Sequence, residues 1–251
     1  MKKFIYIGVS LVLVLAVVLV VRMFFSNATP VTNEVQGNTP EAYVAEVAQQ
    51  NQGTMITLPR PVTDGRMSLE RALTLRRSIR SYSDQPLTLA ELSQILWSGQ
   101  GITNERGFRT APSAGATFPL ELYVVVNNVQ GLRKGIYHYQ IREHALRLVD
   151  TRQIERDLAR ASLGQTMVSE AGAVIVIAAI MERTTRRYGD RGIRYVYNEV
   201  GHVGQNIHLQ AAALNLGTVV IGAFRDDEVH NLLNIGEQYV VVYLMPVGKT
   251  R

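Results

Sequence analysis

Apolar residues follow three patterns along this chain, and each predicts a different kind of element. Residues 4–21 form a run of 18 without a charge, dominated by Val and Leu, between Lys2-Lys3 and Arg22. As a helix this run reaches about 27 Å, close to the thickness of a bilayer's hydrocarbon core. It therefore predicts an N-terminal transmembrane helix within residues 1–26. A cleaved signal peptide is the alternative, since Ser26-Asn27-Ala28 offers small residues to a signal peptidase. The uncleaved anchor is favoured because the run is longer than a signal core and Arg22-Met23-Phe24-Phe25 separates it from that site. Lys2, Lys3 and the amino terminus set the near end inside, which predicts a single-pass membrane protein with an extracytoplasmic domain. Residues 27–54 are polar and small, carry Pro30 and Pro40, and read as a linker with room for a short helix over 40–48.

Helical and strand-like periods alternate over residues 55–251. Met55-Ile56-Thr57-Leu58-Pro59-Arg60-Pro61 predicts an extended lead-in, because a residue before proline is held out of the α region. Ser68 is placed to cap a helix that runs into Arg76-Arg77-Ser78-Ile79-Arg80. Asp84-Gln85-Pro86-Leu87 is a turn. Thr88-Leu89-Ala90-Glu91 has the capping-box spacing ahead of Leu92, Ile95, Leu96 and Trp97, a face that ends at Gly99 and Gly101 and puts Trp97 in the core. Residues 120–126 and 171–180 are near-continuous apolar runs, hence buried strands. Residues 135–139 and 145–149 alternate like the arms of a hairpin, and a helix follows over 152–161. A long helix over 196–215 carries Gly201, Gly204 and Ala211 to Ala213, small residues that let it lie deep in the domain or against an identical helix. A strand over 218–224, a helix from Asp226 to Leu233 and a strand over 239–247 complete the pattern. Helices alternating with buried strands predict an α+β or α/β layered domain.

Composition removes several function classes. The net charge is +5 and the pI about 9.5, yet the excess sits in Lys2, Lys3 and the arginines near 76–80 and 183–194. Without a long basic run or a recognition motif, a nucleic-acid partner is not expected, and a small anion or an acidic membrane surface suits the charge better. The chain has no cysteine, which excludes disulfides, thiolate catalysis, Cys-ligated zinc and lipoprotein acylation. No metal site is predicted. His138 and His144 belong to the hairpin, and His202 and His208 are six apart, not at the i, i+4 spacing of a zinc helix. Nucleotide-binding glycine loops, a hydrolase elbow and HExxH are absent, and Ser113 has Pro112 and Ala114 as neighbours with no partner base in view.

Three stretches remain as candidate chemistry. The Arg76–Arg80 cluster suits an anion with several oxygens, because guanidinium forks bind phosphate bidentately; a solvated helix end is the other reading. The loop Arg109 to Pro119 is built of small residues, which either lets a backbone approach a flat ligand or simply turns into a strand. Residues 181–195 concentrate arginine and tyrosine, and the chain ends with the cations Lys249 and Arg251 just past a strand.

Taken in order, these stretches resemble the SagB-type dehydrogenases of the nitroreductase superfamily, which use flavin mononucleotide (FMN). The matching pieces are Leu58-Pro59, Ser68-Leu69-Glu70, Arg76-Arg77-Ser78-Ile79-Arg80, residues 92–97 with 100–103, Ala111-Pro112-Ser113-Ala114-Gly115-Ala116 with residues 119–123, Gly131 with residues 135–139, Glu199 with Gly201-His202 and Gln205-Asn206, Leu216-Gly217, and Pro246-Val247-Gly248. The resemblance spans about four fifths of the chain and leaves out the anchor and linker. It implies an α+β, three-layer fold, a central mostly antiparallel sheet flanked by helices, in an intertwined homodimer with FMN at the interface. It also implies that Arg76, Arg77, Ser78 and Arg80 hold the phosphate and ribityl chain, with Lys249 or Arg251 completing the phosphate site. Pro112, Ser113, Ala114 and Gly115 would lie against the isoalloxazine, and Gly222 and Ala223 would supply backbone near the ring.

One departure matters. Azoline-oxidising relatives carry a Lys-Tyr pair as catalytic base machinery where this chain has Arg187-Tyr188. Arginine stays protonated and makes a poor base, so azoline oxidation is not favoured, while Tyr188 retains the capacity to relay a proton. The function expected is an FMN-dependent oxidoreductase acting on a small-molecule or peptide substrate, with NAD(P)H as a candidate electron donor. A membrane-tethered flavin-binding sensor or accessory protein without turnover, and an anion- or nucleic-acid-binding module, are the competing expectations.

Overall fold

The structure, a computed structural model, describes residues 55–251. The predicted transmembrane helix and linker lie outside the described residues. Among the described residues no helix is long and apolar enough to cross a membrane.

The chain opens with strand β1 (Met55–Thr57) and helices α1 (Leu69–Leu75) and α2 (Leu89–Gln100). Strand β2 (Leu120–Val126) is followed by the hairpin β3 (Gly135–Gln140) and β4 (Ala145–Asp150), then helices α3 (Glu155–Ala161) and α4 (Met167–Glu170). Strand β5 (Ala173–Ala179) leads to α5 (Glu182–Tyr188) and the long α6 (Arg191–Ala213). Strand β6 (Leu216–Thr218), helix α7 (Asp226–Leu233) and strand β7 (Val240–Lys249) end the domain. The seven strands form one sheet in the order β1-β4-β3-β2-β5-β7-β6, and each paired neighbour is antiparallel.

Strand alternation divides the core between two faces of this sheet. On one face Leu122, Val124, Ile175 and Ile177 pack under Leu92, Ile95 and Leu96 of α2 and Val200, Val203 and Ile207 of α6. On the other, Val125, Val174 and Val176 meet Leu158 of α3, Val168 of α4 and Val229 and Leu233 of α7. β2 and β5 are apolar on both sides because helices cover both faces, and each such buried side chain contributes about 1.5–3 kcal/mol. The result is the helix–sheet–helix layering expected of an α+β fold.

Local signals fix the element starts. The Thr88 hydroxyl accepts from the Glu91 N–H at 3.2 Å while the Glu91 carboxylate accepts from the Thr88 N–H at 2.9 Å, a complete capping box. Ser68 caps α1 in the same way, accepting from the Arg71 N–H at 3.2 Å.

Four expectations are revised. The helix from Ser68 ends at Leu75, so the arginine cluster lies beyond it and not on its last turn. Residues 182–188 and 191–195 are helical, because only Gly189, at φ 57° and ψ −149°, interrupts the run into α6. The strand expected over 218–224 is paired only through Thr218, with one further bridge from Ile221 to Leu244. Trp97 is half-buried beside a groove instead of lying in the core.

Candidate functional site

Two clusters of the predicted site residues form on the domain. The first begins at Arg76, where the backbone leaves helical geometry at φ −52° and ψ 123°. The Ile79 N–H donates to the Thr218 carbonyl at 2.9 Å, Ser78 bridges Thr218, and the Ser83 N–H donates to the Lys249 carbonyl at 2.9 Å. Buried Tyr82 pins this segment, its hydroxyl 2.9 Å from the Ile79 carbonyl oxygen and 3.2 Å from that of Pro246. Residues far apart in sequence, 76–83 and 249–251, are thereby laid side by side.

The cations of this cluster are not equivalent. Arg77 turns back and donates to the carbonyls of Thr74 at 3.0 Å and Arg76 at 2.7 Å, capping the end of α1. Lys249 is ion-paired with Glu91, and Arg251 Nε donates to the Tyr82 carbonyl at 2.8 Å. Half-buried Arg76 and exposed Arg80 make no side-chain hydrogen bond or ion pair among the described residues. These two guanidiniums, with exposed Ser78, are the groups best placed to take an anion. Behind them on α6, His208 is buried, and burial together with the charge of Arg76 lowers its pKa to about 4, so it stays neutral there.

The second cluster is built on the loop before β2. Gly115 sits at φ 58°, where a side chain is strained, and a Cβ there would stand 2.5 Å from the Tyr188 hydroxyl oxygen and 2.9 Å from Arg187 Nη1. Arg187 Nη1 donates to the Gly115 carbonyl at 3.1 Å. Tyr188 packs edge-on against Tyr195, with ring centroids 5.1 Å apart. α5 thus sets both members of the Arg187-Tyr188 pair on the loop that carries Pro112, Ser113, Ala114 and Gly115.

Beneath the loop lies a polar group that the sequence did not single out by role. Arg109 Nη1 donates to Gln100 Oε1 at 2.5 Å and its guanidinium stacks 4.3 Å from the Phe118 ring centroid. Glu199 of α6 is 2% exposed beside Ser113, Arg109 and Gln100. Burial raises its pKa above the usual carboxylate range, against the lowering influence of those three neighbours. Glu199 appears in the sequence only as part of the resemblance, and a lone Glu among the polar residues of a helix carries no other signal.

Gly222 and Ala223 are exposed after the Ile221 bridge, and the Ala223 carbonyl accepts from Gln165 Nε2 at 3.0 Å. No hydrogen bond or ion pair joins residues 76–80 to residues 112–115 among the described residues. A groove of about 780 Å³ lies between the 62–67 segment, α1, α2 and α6, bordered by Trp97, Thr110 and Asn206; none of the predicted site residues lines it. Among the described residues no group of three His, Asp or Glu is placed to hold a metal.

Residues 73–249 match the model of the Nitroreductase family. A protein of Methanocaldococcus jannaschii that bears a nitroreductase name is 50% identical over 183 residues, 73% of this chain and 91% of its own. The trifolitoxin operon protein TfxC of Rhizobium leguminosarum bv. trifolii is 25% identical over 228 residues, 81% of this chain and 62% of its own. A solved Anabaena variabilis structure named for a nitroreductase superposes with a TM-score of 0.71 at 32% identity; the match covers 79% of this chain and 42% of that one, which is the longer protein.

Proposed function

The chain belongs to the nitroreductase family, and from that premise we propose that it is an FMN-dependent oxidoreductase of the SagB type. FMN needs a phosphate grip and a small-residue surface for its flat ring, and this chain offers a candidate for each. Arg76, Arg80 and Ser78 form the grip, with Arg251 beside them. Pro112 to Gly115 form the surface, with Gly115 leaving no room for a side chain. When bound, FMN supplies the hydride chemistry, and the protein supplies binding, orientation and charge.

Arg76 and Arg80 would hold the phosphate as forks, and Ser78 would donate its hydroxyl to the ribityl chain. Arg187 holds the Gly115 carbonyl, fixing the loop. Tyr188, whose hydroxyl faces the same glycine, hands a proton to or from the substrate. Arg187 remains a cation and does not serve as a base. The observation that carries the proposal is that α5 brings Arg187, 72 residues downstream of Gly115, and its neighbour Tyr188 onto the loop expected to face the cofactor.

We infer a homodimer. Among the described residues the two clusters share no hydrogen bond, and in a homodimer a site using both would draw one cluster from each copy. Leu69 and Leu73 of α1 and Ile193 and Tyr197 of α6 are exposed apolar groups suited to such an interface. The SagB-type assignment draws on the likeness to TfxC and on the ordered motifs; a peptide or small organic molecule is the substrate class. The N-terminal run is proposed to tether the enzyme to a membrane with its domain extracytoplasmic. The test is steady-state reduction of a nitroarene or quinone by NADH or NADPH. Turnover in a ping-pong pattern supports the enzyme, whereas flavin binding with no turnover on any acceptor favours a sensor or accessory role, to which Arg187 in place of lysine would be suited.

A further inference from the structure

We propose that Glu199 is a positioning residue that acts through Ser113: its protonation state decides whether the Ser113 hydroxyl hydrogen points into the domain or out of the 112–115 loop. Only the effect on a bound flavin rests on the proposed function; the link between Glu199 and Ser113 is a property of the chain itself.

The geometry leaves Ser113 one proton to place. Its Oγ accepts from the Phe118 N–H at 2.9 Å, so its own hydrogen is available for donation. Inward, Ser113 neighbours Glu199 and favours its charged form. Glu199 Oε1 and Gln100 Nε2 are both buried and without a well-formed partner, although Gln100 still favours the Glu199 carboxylate by its proximity. A buried acceptor in that position is costly unless something donates to it. Ser113 and Gln100 Nε2 are both placed to do so, and of the two Ser113 is the one on the 112–115 loop.

The charge around Glu199 is simple. Arg109, from the loop after α2, is the charged group that favours its ionised form, while Gln100 of α2 and Ser113 are neutral. Glu121 of β2, Arg183 of α5 and Arg142 between β3 and β4 act on Arg109. Phe118 ties the set together, because its ring stacks on Arg109 and its N–H holds Ser113. With Glu199 ionised, the Ser113 hydrogen is donated inward and the loop offers only backbone donors outward. With Glu199 protonated, its own O–H donates to Ser113 Oγ, and the serine hydrogen turns outward. One donor is then gained or lost at the loop surface for each proton on Glu199.

The Phe118 amide reports the switch without any cofactor. The full chain is kept in detergent micelles, labelled with ¹⁵N-phenylalanine and followed by NMR from about pH 4.5 to about pH 8; it has only six phenylalanines, and Phe118→Leu assigns the signal. The Phe118 amide shift is expected to titrate once, above the usual carboxylate range near about 4.3. That titration is expected to vanish in Glu199→Gln and in Ser113→Ala and to survive in Ser113→Thr. Persistence in Glu199→Gln or Ser113→Ala, or no titration in the parent chain, overturns the proposal; Ser113→Ala suffices if Glu199→Gln does not fold. With FMN added, the visible spectrum should move over the same pH range in the parent and stay still in both variants. A pH-independent flavin spectrum alongside an intact amide titration overturns the outward half. An intact amide titration with no flavin taken up refutes the cofactor assignment and leaves the Glu199–Ser113 link standing.

Discussion

Arg187 Nη1 donates a 3.1 Å hydrogen bond to the Gly115 carbonyl, joining a helix that follows β5 to a loop that precedes β2. Tyr188 stands against the same glycine. This contact, with its positive φ, makes Gly115 a sensitive backbone position of the loop. Gly115→Ala should destabilise the domain by about 1–2 kcal/mol through left-handed strain and lower Tm by about 2–8 °C. It should also displace Tyr188 and reduce turnover by more than the stability loss explains. Calorimetry and NAD(P)H-driven turnover on one preparation check this.

Removing the proposed phosphate forks should separate binding from folding. Arg76→Ala with Arg80→Ala is expected to weaken FMN binding by about 100-fold or more, since charge-assisted contacts contribute about 1.5–3 kcal/mol each. Both side chains lack protein partners among the described residues, so circular dichroism and Tm should hardly change. Retained flavin in this variant would move the phosphate elsewhere.

Glu91 links the proposed phosphate cluster to pH through its ion pair with Lys249. Burial works to raise its pKa, but hydrogen bonds from Lys249 and Thr88 hold it below the usual value. Its folded value is therefore lower than its unfolded one. The stabilisation is complete above the unfolded value, about 4.3, and is lost as pH falls through the folded value. Glu91→Gln keeps the capping-box residue type and should cost about 1 kcal/mol at neutral pH, while flattening the loss of stability in acid. By freeing the Lys249 ammonium it should also tighten FMN binding by about 1.5–5-fold, the range of one half-exposed charge contact. Urea melts at pH 3.5 and pH 7, with FMN titrations at pH 7, read both effects.

Tyr188→Phe tests proton transfer. The ring and its edge contact with Tyr195 remain, so flavin content and stability should be preserved. Turnover on a quinone should fall by about 100-fold or more, the usual scale of general acid–base contributions. An unchanged kcat would leave Tyr188 as packing only.

Much of this fold is legible along the chain because its strands and helices carry strong local signals. β2 and β5 are unbroken apolar runs, and the Thr88–Glu91 box marks the start of α2 to the residue. What local pattern cannot convey is where the arginine cluster goes after Leu75. Its course is set by hydrogen bonds to Thr218 and Lys249, far away in sequence. Arg77 likewise reads as one of three equal forks, yet it caps α1, and Lys249 reads as a frayed-tail cation or a further phosphate ligand, yet it pairs with Glu91. Glu199 and Arg109 stayed without a role for the same reason: their partners meet only when α6 is laid across α2 and the loop before β2.

The central claim is that this chain is a flavoprotein, and the visible spectrum of the purified full chain tests it most directly. The account predicts a bound, reducible flavin, released on denaturation as FMN and recovered at one per chain after adding FMN and removing the excess by gel filtration. A colourless protein that retains no flavin after that treatment would contradict it.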